Sequence, residues 1–383
     1  MMKFSVITVV LNAAATIENT IKSVIMQDYG NVEYIILDGG SVDGSIDIIK
    51  KYSENISVFL SEPDSGIYNA MNKAIALSSG DMIVFMNSGD SFVDLTALSR
   101  IAVNIDEDTD IIIAKELIEG KVCKTYSKDE NKSVYIDAFF PHQATFSKTE
   151  LYKKDGKFDE SFRICADYDW ILREYYLGRK LKWIDEVVSV YDADGISSSV
   201  KCIAEQFRIS KKYLQLSGEK DLLAYMEEFY SDMFRKVYFR KLIKESVANE
   251  TISEKISLVT GDKSVSIWGA GTIGKALCSF LLKNNISVNK IIDNDPKKNN
   301  SEYMGIKVLS FDNDNSDFII VSSEYYENEI CETLCNKGRQ SKVDYLSYSD
   351  FSSSLISKLL KSGYDDQGFK NATGLDVLKY IDK

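Results

Sequence analysis

Carboxylates recur at one kind of place in the first half of the chain, just after short apolar runs. The loops there read Asn12-Ala-Ala-Ala, Asp38-Gly39-Gly40-Ser41-Val42-Asp43-Gly44, Glu62-Pro63-Asp64-Ser65-Gly66 and Asn87-Ser88-Gly89-Asp90. Asp167 and Asp169 follow in Ala166-Asp-Tyr-Asp-Trp170, and the single histidine, His142, lies in Pro141-His-Gln143. Carboxylates gathered in a cleft can accept from sugar or ribose hydroxyls. They can take a proton from an attacking hydroxyl. They can also hold a hard divalent cation together with phosphate oxygens. Each position has a plainer reading as well: Asp38 as a turn residue, Asp43 and Asp90 as caps, Asp167 as a helix-start aspartate, His142 as structural. The amides of the Asp64–Gly66 loop can face a phosphorylated ligand, with Asp64 accepting from a hydroxyl, or Ser65 and Gly66 can simply start a helix.

The frame that carries these loops alternates strand and helix. Phe4–Leu11 is a continuous apolar, β-branched run, which predicts a strand buried on both faces. Ile17, Ile21, Val24 and Ile25 form one helical stripe. Val32–Leu37, Val58–Leu60 and Met82–Met86 read as further strands. Ile67–Leu77 reads as a helix, as does the stretch up to Tyr52, which Ser41 and Asp43 can cap. Such βα repetition predicts a mostly parallel sheet sandwiched by helices, with ligands bound beyond the strands' carboxyl ends.

From Val200 to about residue 262 the pattern turns helical. A second αβ unit then begins, with strands at Val265–Trp268, Lys290–Ile292 and Phe318–Val321 and helices over Ile273–Lys283 and near Glu327–Lys337. The expected organisation is a catalytic domain over 1–215, a helical connector over 216–262, a small Rossmann-like α/β domain over 263–347, and a weakly ordered or helical tail over 348–383.

Five segments, in order, carry a resemblance. They are Ser5-Val-Ile-Thr-Val-Val-Leu-Asn12, Ile35-Ile-Leu-Asp-Gly-Gly-Ser-Val-Asp-Gly-Ser45, Glu62-Pro-Asp-Ser-Gly-Ile-Tyr-Asn-Ala-Met-Asn72, Phe85-Met-Asn-Ser-Gly-Asp90 and Ala166-Asp-Tyr-Asp-Trp170. Together they resemble family-2 glycosyltransferases of the GT-A fold. The resemblance implies an inverting transferase that uses a nucleoside-diphosphate sugar, with a UDP-sugar as the expected donor. It implies that Asp38 accepts from the nucleotide base and that Thr8, Asn12, Asp64, Gly66, Asn69, Asn72, Asn87, Ser88 and His142 border the donor. Asn87-Ser-Gly-Asp90 stands where relatives carry an acidic metal motif. Asn87 and Gly89 replace two acids there, so Asp90 remains as the expected ligand of Mg²⁺ or Mn²⁺. By position Asp167 is the expected general base, with Ala166 in place of the family's Glu and Asp169 as the rival base. The expected acceptor is a glycan or lipid-linked glycan in bacterial surface polysaccharide assembly.

Gly269-Ala-Gly271-Thr-Ile-Gly274 follows a strand and opens a helix, and Asp293 ends the next strand. That is the context of a dinucleotide fingerprint. At about 85 residues the unit is half the usual dinucleotide site, so NAD chemistry is not expected and a structural or nucleotide-sensing role is. The rival readings are an NAD-linked oxidoreductase built on this turn and a non-catalytic sugar-nucleotide-binding protein. Arg235–Lys244 holds five basic residues, with Phe234, Val237, Tyr238 and Leu242 on one helical face. Such a helix can rest on an anionic membrane or pack on the protein.

Composition narrows the classes. The net charge of −12, from 46 basic and 58 acidic residues, argues against sequence-independent nucleic-acid binding. The six cysteines have no zinc spacing and read as reduced thiols. Oligomerisation is left open. The N-terminal apolar run reads as a first strand rather than a signal peptide, and no run has the length of a membrane span. The expected place is the cytoplasm, with peripheral contact at the membrane's inner face as the alternative.

Overall fold

The computed structural model describes residues 1–118, 121–122, 134–137, 140–191, 200–244, 247–248, 250–261, 263–311, 318–323 and 326–361. The chain divides into two compact units. One is Met1–Ser198 with Glu205–Met226, and the other is Ser199–Ala204 with Glu227–Lys383.

The first unit opens with β1 (Phe4–Val10), α1 (Ile17–Ile25), β2 (Val32–Asp38), α2 (Ser45–Lys50), β3 (Val58–Ser61), α3 (Ile67–Leu77) and β4 (Met82–Phe85). It continues through β5 (Ser91–Phe92), α4 (Ala97–Asn104), β6 (Ile111–Ile118), β7 (Lys121–Val122), α5 (Val134–Asp137) and β8 (Thr145–Lys148). It closes with α6 (Thr149–Lys154), α7 (Ala166–Tyr176), β9 (Leu181–Tyr191) and most of α8 (Val200–Ser217). The sheet runs β3-β2-β1-β4-β8-β6-β9-β5, with β7 paired to β6.

Strands β3, β2, β1 and β4 are mutually parallel, as the βα alternation requires. Strand β8 is antiparallel to both β4 and β6, so the sheet is mixed beyond β4. All seven residues of β1 are buried, which explains the continuous apolar run. Val10, Asp38 and Ser61 are register partners, so β1, β2 and β3 end together.

The expected cap of α2 takes another form. Gly44 is the N-cap residue, while Asp43 accepts from the Ser45 amide at 3.0 Å and the Ala14 amide at 2.9 Å. Ser41 instead accepts from the Asn12 amide at 2.7 Å. These side chains tie the first two strand-end loops together rather than closing one helix.

The second unit holds most of α9 (Leu223–Lys244), then α10 (Glu250–Thr260), β10 (Val265–Trp268), α11 (Thr272–Lys283), β11 (Val288–Ile292), β12 (Glu302–Tyr303) and β13 (Ile306–Leu309). It ends with β14 (Phe318–Val321), α12 (Glu327–Asn336), β15 (Tyr345–Leu346) and α13 (Tyr348–Lys361). Its sheet order is β12-β13-β11-β10-β14-β15, parallel except at β12. Gly274 is required at the start of α11, because a Cβ there would stand 1.7 Å from the Gly269 carbonyl oxygen.

The segment expected to be a tail begins as α13, whose Tyr348, Phe351, Leu355, Ile356 and Leu359 are buried. Those spacings form one apolar helical stripe, so the helix is part of the second core. Residues 362–383 of that tail lie outside the described residues. On α9 the apolar face drawn for a membrane is already covered, since Phe234, Tyr238 and Leu242 are buried in the protein. Among the described residues no helix is long and apolar enough to cross a membrane.

Candidate active site

The carboxyl ends of β1 and β2 meet in a tight arrangement. Asn12 adopts φ 51° and accepts from the Val42 amide at 2.9 Å. Asp38 is 2% exposed, and its Oδ2 accepts from the amides of Gly40 and Ser41, each at 3.0 Å, and from Ser61 Oγ at 2.7 Å. Its Oδ1 has one longer contact, 3.3 Å, to the Ser41 amide. Asp38 therefore shapes its own turn. The Asp64 carboxylate lies over that turn: a Cβ on Gly39 would stand 2.5 Å from Asp64 Oδ2. Asp64 Oδ1 accepts from the Gly66 amide at 2.8 Å, which shapes the loop leading into α3.

A second cluster gathers four separate segments. Tyr68, in the first turn of α3, places its hydroxyl 3.0 Å from Asp167 Oδ1 and 2.5 Å from the Ile164 carbonyl. Asp167 lies in the first turn of α7. Its Oδ2 is 3.3 Å from His142 Nδ1. His142 Nε2 is 2.9 Å from Asn87 Nδ2 and 4.0 Å from Asp90 Oδ2. Thr20 pins the loop after β4, donating to the Asp90 carbonyl at 2.7 Å and accepting from the Gly89 amide at 3.1 Å. Ser88, half-buried in that loop, donates its amide to Val9 at 3.3 Å.

Charges settle the protonation tendencies. Burial alone lowers the His142 pKa, but the hydrogen bond and charge of Asp167, with the charges of Asp90 and Glu116, outweigh it and leave the value raised. Burial holds the Tyr68 phenol well above its usual range, with Asp167 adding to it, so Tyr68 stays a neutral donor.

The structure thus brings Asn87, Asp90, His142 and Asp167 together, with Ser88 beside them. It sets Asn12, Asp38 and Asp64 in a neighbouring group linked to the first through the loop leading into α3. Other expected donor residues sit elsewhere. Thr8 is fully buried within β1, and its hydroxyl donates to the Met86 carbonyl at 2.7 Å and lies 3.0 Å from Tyr34 Oη. A mid-strand side chain points into the layer between sheet and helices, not past the strand end. Asn72 is bound at both ends of its amide to Phe158 at 3.0 Å, and Nδ2 also reaches Glu160 at 2.9 Å. Asn69 Nδ2 reaches the other Glu160 oxygen at 3.1 Å. The two asparagines bracket the 158–160 segment. Asp169, the rival base, is 1% exposed and held by Lys212 at 2.8 Å.

Four contributors carried no signal strong enough to single out. Tyr68 looked like one aromatic among many. Arg163 donates to the Ser65 carbonyl at 3.0 Å. Glu205, distant in sequence, accepts the amides of Arg163, Ile164 and Cys165, each at 2.9 Å, and so fixes the approach to α7. Glu116 is 2% exposed in β6, and burial pushes its carboxyl up to about 7, with His142 opposing and Asp90 reinforcing that rise. The available clue was an acid that follows Lys115 within a mostly apolar strand run.

Metal fit can be judged from oxygen atoms. Asn87 Oδ1 is buried with no hydrogen-bond partner, in the same loop as the 5%-exposed Asp90. Among the described residues no group of three or more His, Cys, Asp or Glu is placed to cage a metal. The arrangement fits the mode in which one carboxylate and substrate phosphates share a divalent ion.

Sequence comparison identifies the class to which this α/β frame belongs. Residues 5–177 match the family described as Glycosyl transferase family 2. An uncharacterized glycosyltransferase of Mycobacterium tuberculosis is 32% identical over 205 residues, 51% of this chain and 76% of that protein. The chain belongs to glycosyltransferase family 2 and is a glycosyltransferase. A PGL/p-HBAD biosynthesis glycosyltransferase of the same species is 27% identical over 175 residues, 44% of this chain and 68% of that protein. TarS 1–349 of S. aureus, solved with UDP-GlcNAc, overlaps at a TM-score of 0.48 and 19% identity, covering 67% of this chain and 80% of that one. Residues 261–343 match a second family, described as C2185-like, N-terminal.

Proposed function

We propose that the chain transfers a sugar, with inversion, from a UDP-sugar to a hydroxyl of a glycan or lipid-linked glycan in bacterial surface polysaccharide assembly. The observation that carries this reading is the convergence of Asp90, His142 and Asp167 from three separate segments, with Tyr68 bracing the last. Asp167 is the base: it takes the acceptor proton as that oxygen attacks the anomeric carbon from the face opposite the diphosphate. Tyr68 and His142 each hold one of its oxygens, which aims the carboxylate. His142, with Nε2 turned to the Asn87 amide nitrogen and Nδ1 to Asp167, ties the base to the loop after β4. Asp90, with Asn87 Oδ1, would hold Mg²⁺ or Mn²⁺, which neutralises charge gathering on the departing diphosphate when bound. Asp64 and Gly66, in the loop leading into α3, border the donor. The similarity to a PGL/p-HBAD biosynthesis glycosyltransferase supports a biosynthetic role.

Asp167→Asn tests this. UDP release from UDP-sugar donors should fall about 10²- to 10⁴-fold, with UDP affinity by calorimetry unchanged. Turnover at the parent rate would remove Asp167 as base. A parent protein that binds UDP-sugars yet turns none over with or without Mn²⁺ would favour the non-catalytic binder.

A further inference from the structure

Sugar transfer leaves the glycine turn of the second unit unused. There β10 ends at Trp268, and the chain passes through Gly269–Gly274 into α11. Two cavities meet at this turn and share Gly271 and Thr272.

Their linings are opposite in character. One, of about 430 Å³, is walled by Trp268, Tyr326 and Ile330, with Asp293 and Asp295 on its rim. That volume is within the range of a small-molecule site, and the apolar side chains stand beside polar ones that include Ser322, Ser323 and Glu329. The other, of about 520 Å³, is lined by Lys244, Lys275 and Tyr303 and by no acid. Neither lysine has an acidic partner among the described residues. Lys275 Nζ lies 5.7 Å over the Tyr303 ring, so this side of the glycine turn carries positive charge with no carboxylate in its lining. A ligand that crosses Gly271–Thr272 therefore meets flat apolar walls and hydroxyl acceptors on one side, and cations on the other.

We infer that this turn binds a nucleoside diphosphate, with the base and ribose in the Trp268–Tyr326 cavity and the diphosphate across Gly271–Thr272 toward Lys275 and Lys244. The glycines let the backbone come close to phosphate oxygens, and the open start of α11 presents amides to them. Asp293 is already engaged. Its Oδ2 accepts from the Ala270 amide at 2.8 Å and Lys298 at 3.0 Å, and its Oδ1 accepts from the Asp295 amide at 2.9 Å. It holds the turn open and adds at most one acceptor for a ribose hydroxyl. The diphosphate is common to nucleotide sugars and adenine dinucleotides, so the ligand's source is a separate question from the site.

The experiment uses the full chain and calorimetric titration with UDP, GDP and NAD, on the parent and on Lys275→Glu. Lys275 is exposed and takes no part in the proposed chemistry, so the variant should fold with an unchanged ligand-free Tm. The expected result is at least one probe whose affinity falls about tenfold or more in the variant. UDP or GDP showing the loss identifies a nucleotide-sugar type of ligand; NAD showing it identifies a dinucleotide. UDP release by the catalytic unit should not change. If every probe binds parent and variant alike, or none binds, the inference is overturned.

Discussion

Glu116→Gln should stabilise the first unit at pH 8 relative to its effect at pH 5. The buried Glu116 carboxyl rises from 4.5 to about 7, chiefly through burial. A raised folded-state value means the neutral acid is the form that suits the fold. Its stabilising contribution is complete below pH 4.5 and is lost as pH climbs through about 7. The shift of about 2.5 units, at about 1.4 kcal/mol each, sets a difference of about 3 kcal/mol between the two limits. Glutamine has no such charge. Any cost of its unpaired amide, about 1–3 kcal/mol, is the same at both pH values and cancels in the comparison. The assay is urea unfolding of parent and variant at pH 5 and pH 8, followed through the tryptophans. Trp170 and Trp183 report the first unit. The expected outcome is a variant-minus-parent stability that grows by about 2–3 kcal/mol from pH 5 to pH 8. An offset equal at both pH values would refute the argument that burial governs this carboxyl.

His142→Ala removes the contacts to Asn87 and Asp167 and leaves only Asp167 Oδ1 held, by Tyr68 and the Tyr168 amide. Steady-state kinetics should show kcat lowered about 10- to 100-fold, since small misplacements of a catalytic group have effects of that size. Phe351 is fully buried, 5.5 Å edge-to-face from Phe239. Phe351→Ala should cost about 3–5 kcal/mol. Trp268 fluorescence should report that loss in the second unit, with the first unit's transition unmoved.

Strands β1 and β4 were legible because burial on both faces leaves an unbroken apolar run, and α3 spans the expected Ile67–Leu77. Asp90, His142 and Asp167 were singled out in the sequence from separate motifs, and the structure brings them into one cluster. Thr8 shows the limit of such motifs: lying in a motif is not the same as lying at a strand end. The braces were hidden for a different reason. Glu205 reaches the 163–165 amides across about 40 positions, and no local pattern carries such a contact. The α13 helix was obscured by Ser352, Ser353 and Ser354, which interrupt the apolar stripe with weak helix formers.

The short rod of α3 has Asp64 in its leading loop, seated on Gly39, and Tyr68 in its first turn, touching Asp167. On the proposed reading, a nucleotide that moves Asp64 acts on the same rod that steadies Asp167. Donor occupancy and acceptor affinity are then thermodynamically coupled, and the coupling must be of equal size whichever partner arrives first.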